Sequence, residues 1–167
     1  MQESPYLEGR EDLIDKFQRL PFLENLDPKY VEKVLKLSKL RKYTPGEVIT
    51  AEGTYDSWVY ILLGGAVRVV KHGQEIARLN QLGESFGELA VIDGQRRSAS
   101  VEATEETLCL AIDAVFFDRS QDSHERTVFF SVFYRIVAEI LAQRLRLANE
   151  EMVALRQEID RLKREKQ

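Results

Sequence analysis

The sequence predicts an α+β fold that is mainly β: an antiparallel jelly-roll β-barrel, flanked by N-terminal helices and by a long C-terminal helix ending in a coiled coil. Three observations carry this. Between about Lys42 and Asp113, short alternating or fully apolar runs are punctuated by glycine, the pattern of brief strands joined by tight turns. Ahead of that region apolar residues recur at helical spacing. Beyond it, from His124 onward, neither proline nor glycine interrupts the chain.

Residues 1–40 read as a helical lead-in. Leu13, Ile14, Phe17 and Leu20 suit one amphipathic helix, and Val31, Val34, Leu35 and Leu37 a second, separated by "PFLENLDP". Asp27 reads as an N-cap, with Pro28 at the first helical position. Residues 41–113 read as the β-roll, with six to eight short strands by their spacing. Turns are expected at Gly64-Gly65, at His72-Gly73 and at the "TEE" step before Leu108. The stretch "FGELAVIDGQRRSAS", residues 86–100, interrupts the strands as a strand end, a helical turn over "ELAVI" and a loop returning to a strand.

Residues 114–167 read as helices. Asp113 is a candidate N-cap for a short helix over "AVFFDRS", and Ser120 to Ser123 form a break. A following helix of about 42 residues would be about 63 Å long, too long to lie wholly against one small β domain. From about residue 138 its apolar positions alternate spacings of three and four. Leu141, Leu145, Ala148, Met152, Leu155, Ile159 and Leu162 form the seam of a parallel homodimer. In that register Glu151 faces Arg156 of a second helix and Glu158 faces Lys163. Such exposed pairs contribute about 0.2–1 kcal/mol each and set orientation more than stability.

Composition narrows the function. A chain of 167 residues supports one core plus accessory helices. Its net charge of −4 argues against a general nucleic-acid surface. Cys109 is the single cysteine, which excludes an intrachain disulfide and suits a reducing cytoplasm. No apolar run approaches the roughly 20 residues of a membrane span, and the start is acidic, so no membrane segment or leader is expected. His72 and His124 stand far apart, so no metal site of clustered imidazoles is expected and no cofactor is implied.

The chemistry concentrates in residues 86–100. A helix start over "GELA" offers unsatisfied N–H groups to an anion, and Gly87 permits close backbone approach. Arg97 can add a planar donor pair to a phosphate. Glu88 repels an anion, unless the ligand also presents hydroxyl donors beside its anionic group. A sugar phosphate meets both demands, although a structural Glu88–Arg97 pair bracing the loop meets the same residue pattern. The loop lacks "GK[ST]" and is no nucleoside-triphosphate loop.

Phe86, Gly87, Glu88, Leu89, Ala90 and then Arg97, Ser98, Ala99, Ser100 match, position by position, F-G-E-[LIV]-A followed by R-[AST]-A-[ST]. The stretch thereby closely resembles the phosphate-binding cassette of the cyclic nucleotide-binding domain family. The resemblance runs from about Leu20 to Asn149. It implies that Arg97 grips a cyclic phosphate, that Glu88 accepts from the ribose 2′-hydroxyl, and that amides near Leu89 and Ala90 with the Ser98 hydroxyl complete the cradle beside Ala99. "RSAS" and the preceding "GQ" look more like the bacterial catabolite activator branch than the kinase regulatory subunits. In that branch Arg144 matches an arginine at the ligand pocket. Ala148 and Asn149 stand where it carries a Thr-Ser pair touching the base, so Asn149 becomes the candidate purine contact, in its own or in a partner subunit.

The resulting expectation is a dimeric, cytoplasmic, non-enzymatic sensor of cAMP or cGMP that signals through its terminal helix to a downstream protein effector. The activator branch continues into a helix-turn-helix reader where this chain runs to Gln167 in coiled coil, so no direct nucleic-acid-binding module is expected. Three other readings remain: a ligand-free coiled-coil assembly module, the sensor fragment of a transcription regulator or channel, and a metal enzyme on a cupin-like roll, for which two isolated histidines are too few.

Overall fold

His72 and Gly73 both take positive φ, 50° and 78°. That is the requirement of the two-residue turn whose twist matches paired strands. They join β5 (Val67–Lys71) to β6 (Gln74–Leu79), with Lys71 opposite Gln74. Gly65, at φ 86°, closes the turn between β4 (Trp58–Gly64) and β5. A Cβ there would strike the Glu106 carbonyl and the Thr107 backbone, so this turn and the "TEE" turn are pressed together.

The computed structural model describes residues 1–19, 24, 27–114 and 123–165. The remaining elements are β1 (Gln2–Glu3), α1 (Ile14–Gln18), α2 (Pro28–Lys36), β2 (Ser38–Tyr43), β3 (Val48–Thr50), β7 (Ser85–Phe86), α3 (Glu88–Asp93), β8 (Ser100–Ala103), β9 (Thr107–Asp113) and α4 (Ser123–Glu165). One antiparallel sheet has the order β1-β2-β9-β4-β7 and the other β3-β8-β5-β6. Among the described residues no strand pairing joins the two. The closed barrel expected from the sequence is therefore corrected to two open sheets facing each other. The edge strands β1, β7 and β3 have two or three residues, and the fourth edge, β6, has six.

The five-stranded sheet is buried on both faces. On β4 and β9, Val59, Ile61, Leu110 and Ile112 pack against Leu13, Phe17, Val31, Leu35, Phe133 and Val137 of the helical layer. The alternate residues Tyr60, Leu62, Cys109 and Ala111 pack against Val67, Val101 and Ala103 of the second sheet. Successive side chains of a strand point to opposite faces, so "WVYILLG" and "TLCLAID" show little polar alternation because both faces are largely covered, with Leu108 the exposed exception.

The Asp27 carboxylate caps α2 by accepting from Lys29 N at 3.0 Å, with Pro28 at the first helical position as expected. The helix stops at Lys36, short of Leu40. Leu37 N and the Ser38 hydroxyl both donate to Val34 O, and Ser38 opens β2, where pairing with β9 outweighs helical spacing. Leu20, most of "PFLENLDP", the "AVFFDRS" stretch beyond Ala114 and the expected break up to residue 122 lie outside the described residues, while Ser123, expected in that break, opens α4. Strand β1 has no signal in the sequence. It is held by Glu3, which accepts from Lys39 and Arg41 at 2.6 Å each. The long helix is continuous over 43 residues. It packs on the core through Phe133, Val137 and half-buried Leu141, and beyond Arg144 every residue up to Glu165 is exposed.

Burial between the sheets pushes the Cys109 thiol up to about 12. A thiol ionised in the unfolded chain and not in the folded one makes stability fall as pH rises above its ordinary value of about 8.5. Iodoacetamide at pH 8 should therefore leave the native chain unlabelled for as long as it stays folded, and modify it rapidly in urea. Fast labelling of native protein would contradict this packing.

Candidate functional site

The corner between β7 and α3 turns on Gly87, which sits at φ 87°. A Cβ here would collide with the Arg97 guanidinium and lie 2.9 Å from the Trp58 carbonyl. Glycine is required both for its backbone angle and for the cation that fills the space beside it.

Arg97 is 3% exposed. Its Nε donates to Asp56 Oδ2 at 2.9 Å, and its Nη2 donates to Asp56 Oδ1 and, at 2.6 Å, to Trp58 O. Its Nη1 donates to Gly87 O at 2.5 Å. A guanidinium carries five N–H groups, so one, on Nη1, is left for a ligand oxygen. The planar donor pair expected from the sequence is corrected to a single donor, because Asp56 occupies the bidentate edge. Main-chain bonds fix the same junction: Arg97 N donates to Thr54 O at 2.9 Å and Gly53 N donates to Arg97 O at 2.8 Å.

Glu88 is 1% exposed. Its Oε1 accepts from Arg144 Nη1 at 2.6 Å, while Oε2 takes no hydrogen bond from the protein. The structural Glu88–Arg97 pair is absent, since each group has a different partner. A buried carboxylate oxygen without a donor is costly, on the order of 1–3 kcal/mol or more. It is the arrangement expected of an acceptor kept for a ligand.

These groups share one cavity of about 550 Å³, within the range of small-molecule sites. Gly87, Glu88, Leu89, Ala90, Arg97, Ser98 and Ala99 line one end, Val69, Ile76 and Leu79 form an apolar wall, and α4 contributes Arg144, Leu147, Ala148 and Glu151. Asn149 is exposed and is not part of this wall. The sequence reading missed Asp56, for which no local motif exists. It also missed Leu147 and Glu151, which a count of three residues from Arg144 and from Ala148 would have found on the same helix face. Among the described residues no group of His, Cys, Asp or Glu is placed to hold a metal ion, and no helix is long and apolar enough to cross a membrane.

The family model described as "cyclic nucleotide-binding domain" matches residues 40–124, from β2 through the cassette to the start of α4. The chain belongs to the cyclic nucleotide-binding domain family. Within it, the sequence is 34% identical over 90 residues to the mouse potassium/sodium hyperpolarization-activated cyclic nucleotide-gated channel 2, a match covering 54% of this chain and 10% of the channel. It is 31% identical over 115 residues to a cAMP-dependent protein kinase regulatory subunit of Yarrowia lipolytica, covering 68% of this chain and 30% of the subunit. The catabolite activator protein of Thermus thermophilus superposes with a TM-score of 0.61 at 30% identity, over 81% of this chain and 62% of that one. The chain thus spans a small part of the curated relatives it matches.

Replacing Gly87 by Ala should lower stability by about 1–3 kcal/mol from backbone strain, with a further loss from the collision at Arg97. Gly94, at φ 65° with open space within 4 Å of where a Cβ would stand, is the control for strain alone. Urea unfolding should give a larger loss for Gly87→Ala than for Gly94→Ala; equal losses would mean that the guanidinium moves aside freely.

Proposed function

We propose that the chain is a non-enzymatic cyclic nucleotide sensor, taking cAMP or cGMP in the cavity between the cassette and α4. The observation that carries this is Glu88. A buried carboxylate has one oxygen bound to Arg144 and the other without a protein donor, at a site that also holds a buried arginine. A ribose 2′-hydroxyl supplies the missing donor. The neighbouring cyclic phosphate takes the remaining Arg97 N–H, amides near Leu89 and Ala90, and the Ser98 hydroxyl, while Gly87 and Ala99 keep the backbone close. Asp56 positions Arg97 and does not touch the ligand.

The same carboxylate ties the pocket to the helix. Arg144 reaches Glu88 from α4, 56 residues away in the chain, so a ligand at Glu88 alters the contact that draws α4 onto the β layers. Occupancy then shifts the population of helix arrangements through its different affinity for each. Residues 1–40 are in this reading a helical lead-in, 41–113 the nucleotide domain and 114–167 the output element, addressing a protein effector in the cytoplasm.

A second copy completes α4. Leu145, Met152, Leu155, Ile159 and Leu162 are each 45% exposed or more, in the three-four spacing of a coiled-coil seam, with Leu141 and Ala148 continuing it towards the domain. The segment from Leu145 to Glu165 is about 30 Å of helix in which every residue is exposed. A lone helix of that kind is marginal in water, and a parallel partner buries its seam. Asn149, outside the cavity of its own chain, reaches a base only from the partner.

Isothermal titration with both nucleotides tests the sensor. Arg97→Ala and Glu88→Ala should each weaken binding at least about tenfold, the scale of a lost charge-assisted hydrogen bond. No binding by the unaltered chain, or unchanged binding by both variants, would sink the reading. Light scattering tests the seam separately. The chain should run as a dimer at micromolar concentration, and removal of residues after Glu150 should weaken it; a monomeric full chain refutes the coiled coil.

A further inference from the structure

Arg41 lies on β2 and is not among the residues lining the cavity, yet its side chain is mostly buried and directed towards β4. It shares a sheet face with Cys109 and Ala111 of β9, the strand between, and with Tyr60 and Leu62 of β4. Cys109 and Ala111 are small, so a long side chain on β2 can cross β9 above them. Three contacts fix the guanidinium at the end of that crossing. Its carbon lies 3.8 Å from the centroid of the Trp58 ring, its Nη1 donates to the Tyr60 hydroxyl at 2.8 Å, and its Nε donates to Glu3 Oε2 of β1 at 2.6 Å. Lys39 also stands over the Trp58 ring, but at 6.0 Å, the limit of such attraction.

Both aromatic residues belong to the frame that holds Arg97. Trp58 N donates to Asp56 Oδ1 at 3.0 Å and Trp58 O accepts from Arg97 Nη2 at 2.6 Å, so the main chain of one residue ties down both halves of the ion pair. Tyr60 stacks on Phe86, with centroids 5.1 Å apart and planes 9° from parallel, and Phe86 precedes Gly87, whose carbonyl accepts from Arg97 Nη1. Each carbonyl that receives Arg97 is thus linked to a ring that Arg41 grips. From this we infer that Arg41 is a positioning residue for the phosphate end of the cavity, setting the reach of Arg97 without touching the ligand. This rests on the cyclic nucleotide reading of the same cavity.

The planar guanidinium suits the role because it lies on one ring face and donates to a hydroxyl at once, which fixes the two rings relative to each other. Burial pushes the Tyr60 hydroxyl above its ordinary value, and Arg41, Asp56 and Arg97 all act on it, so it sits within electrostatic reach of the Arg97 ion pair. A single Arg97 N–H remains for a ligand oxygen, and a hydrogen bond weakens steeply as it bends. Small rotations of Trp58 or Phe86 therefore lower affinity even while Asp56 stays paired. The cassette motif is silent on this, because Arg41 meets it only across the folded sheet.

Titration calorimetry with cAMP and cGMP on the full chain tests the inference. Arg41→Met keeps the length of the side chain and removes the guanidinium. It should weaken binding of whichever nucleotide the unaltered chain takes by about tenfold, the scale of a desolvated cation on a ring. Arg41→Lys keeps a cation over Trp58 and should recover part of that loss. Tyr60→Phe keeps the stack on Phe86 and removes only the hydroxyl, which should weaken binding about threefold. Thermal melting without ligand shows which variants are folded, and the lysine and phenylalanine variants carry the test if the methionine variant is not. The deciding measurement repeats Arg41→Met in an Arg97→Ala chain. With no guanidinium left to position, its effect should shrink to about twofold or less. Unchanged affinity in the folded variants, or an equal loss with and without Arg97, overturns the inference and leaves the sensor standing. If the unaltered chain binds neither nucleotide, the sensor reading fails and the positioning role falls with it.

Discussion

The site is organised around one buried cation. Arg97 ties its own loop to two other parts of the chain, the entry to β4 through Asp56 and the Trp58 carbonyl, and the β7–α3 corner through the Gly87 carbonyl. A guanidinium taken from water must have nearly all its N–H groups paired, because an unpaired buried charge costs several kcal/mol. That demand explains why residue 87 lacks a side chain, why the loop before β4 carries a carboxylate, and why the return strand begins where it does. Only one N–H is left over. The protein has already met the desolvation cost in folding, so an incoming anion meets a donor whose position is set beforehand.

Glu88 is the complementary case. Its burial follows from its place at the first turn of α3 beneath the cavity, but its pairing is incomplete within the protein. Arg144 satisfies one oxygen and so links a short helix inside the β layers to a long helix outside them. Arg97 is a closed structural arrangement with one opening, whereas Glu88 is an open arrangement with one structural anchor. On the sensor proposal, that difference makes Glu88 the group that would couple a ligand to movement of α4.

That coupling is mechanically reasonable because α4 is attached over a limited length. Phe133, Val137 and Leu141 hold it to the core, Arg144 holds it to the cavity, and every residue beyond Arg144 up to Glu165 is exposed. One face of the following turns looks into the cavity and another carries the exposed apolar seam, with Ala148 on both. On the proposed reading, a change at the cavity would lie within one helical turn of the first residues available to a partner.

Most of the local structure was legible in the sequence because it is set by neighbours along the chain. The turns at Gly65 and His72-Gly73, the Asp27 cap on α2, the unbroken run of α4 and the cassette residues all follow from backbone angles, capping chemistry and spacing. Other features depend on groups that meet only after folding, and tertiary structure alone decided them. Asp56 reaches Arg97 across 41 residues, and Arg144 reaches Glu88 across 56. The end of α2 at Lys36 reflects pairing of Ser38 onward with β9, and the two sheets remain open, with no strand pairing joining their edges among the described residues. Local propensity carries no information about partners this far away, since their contact is fixed by how whole layers pack. The sequence therefore determined which residues the proposed reading assigns to a sugar phosphate, and the packing of the layers decided which of their donors are already engaged within the chain.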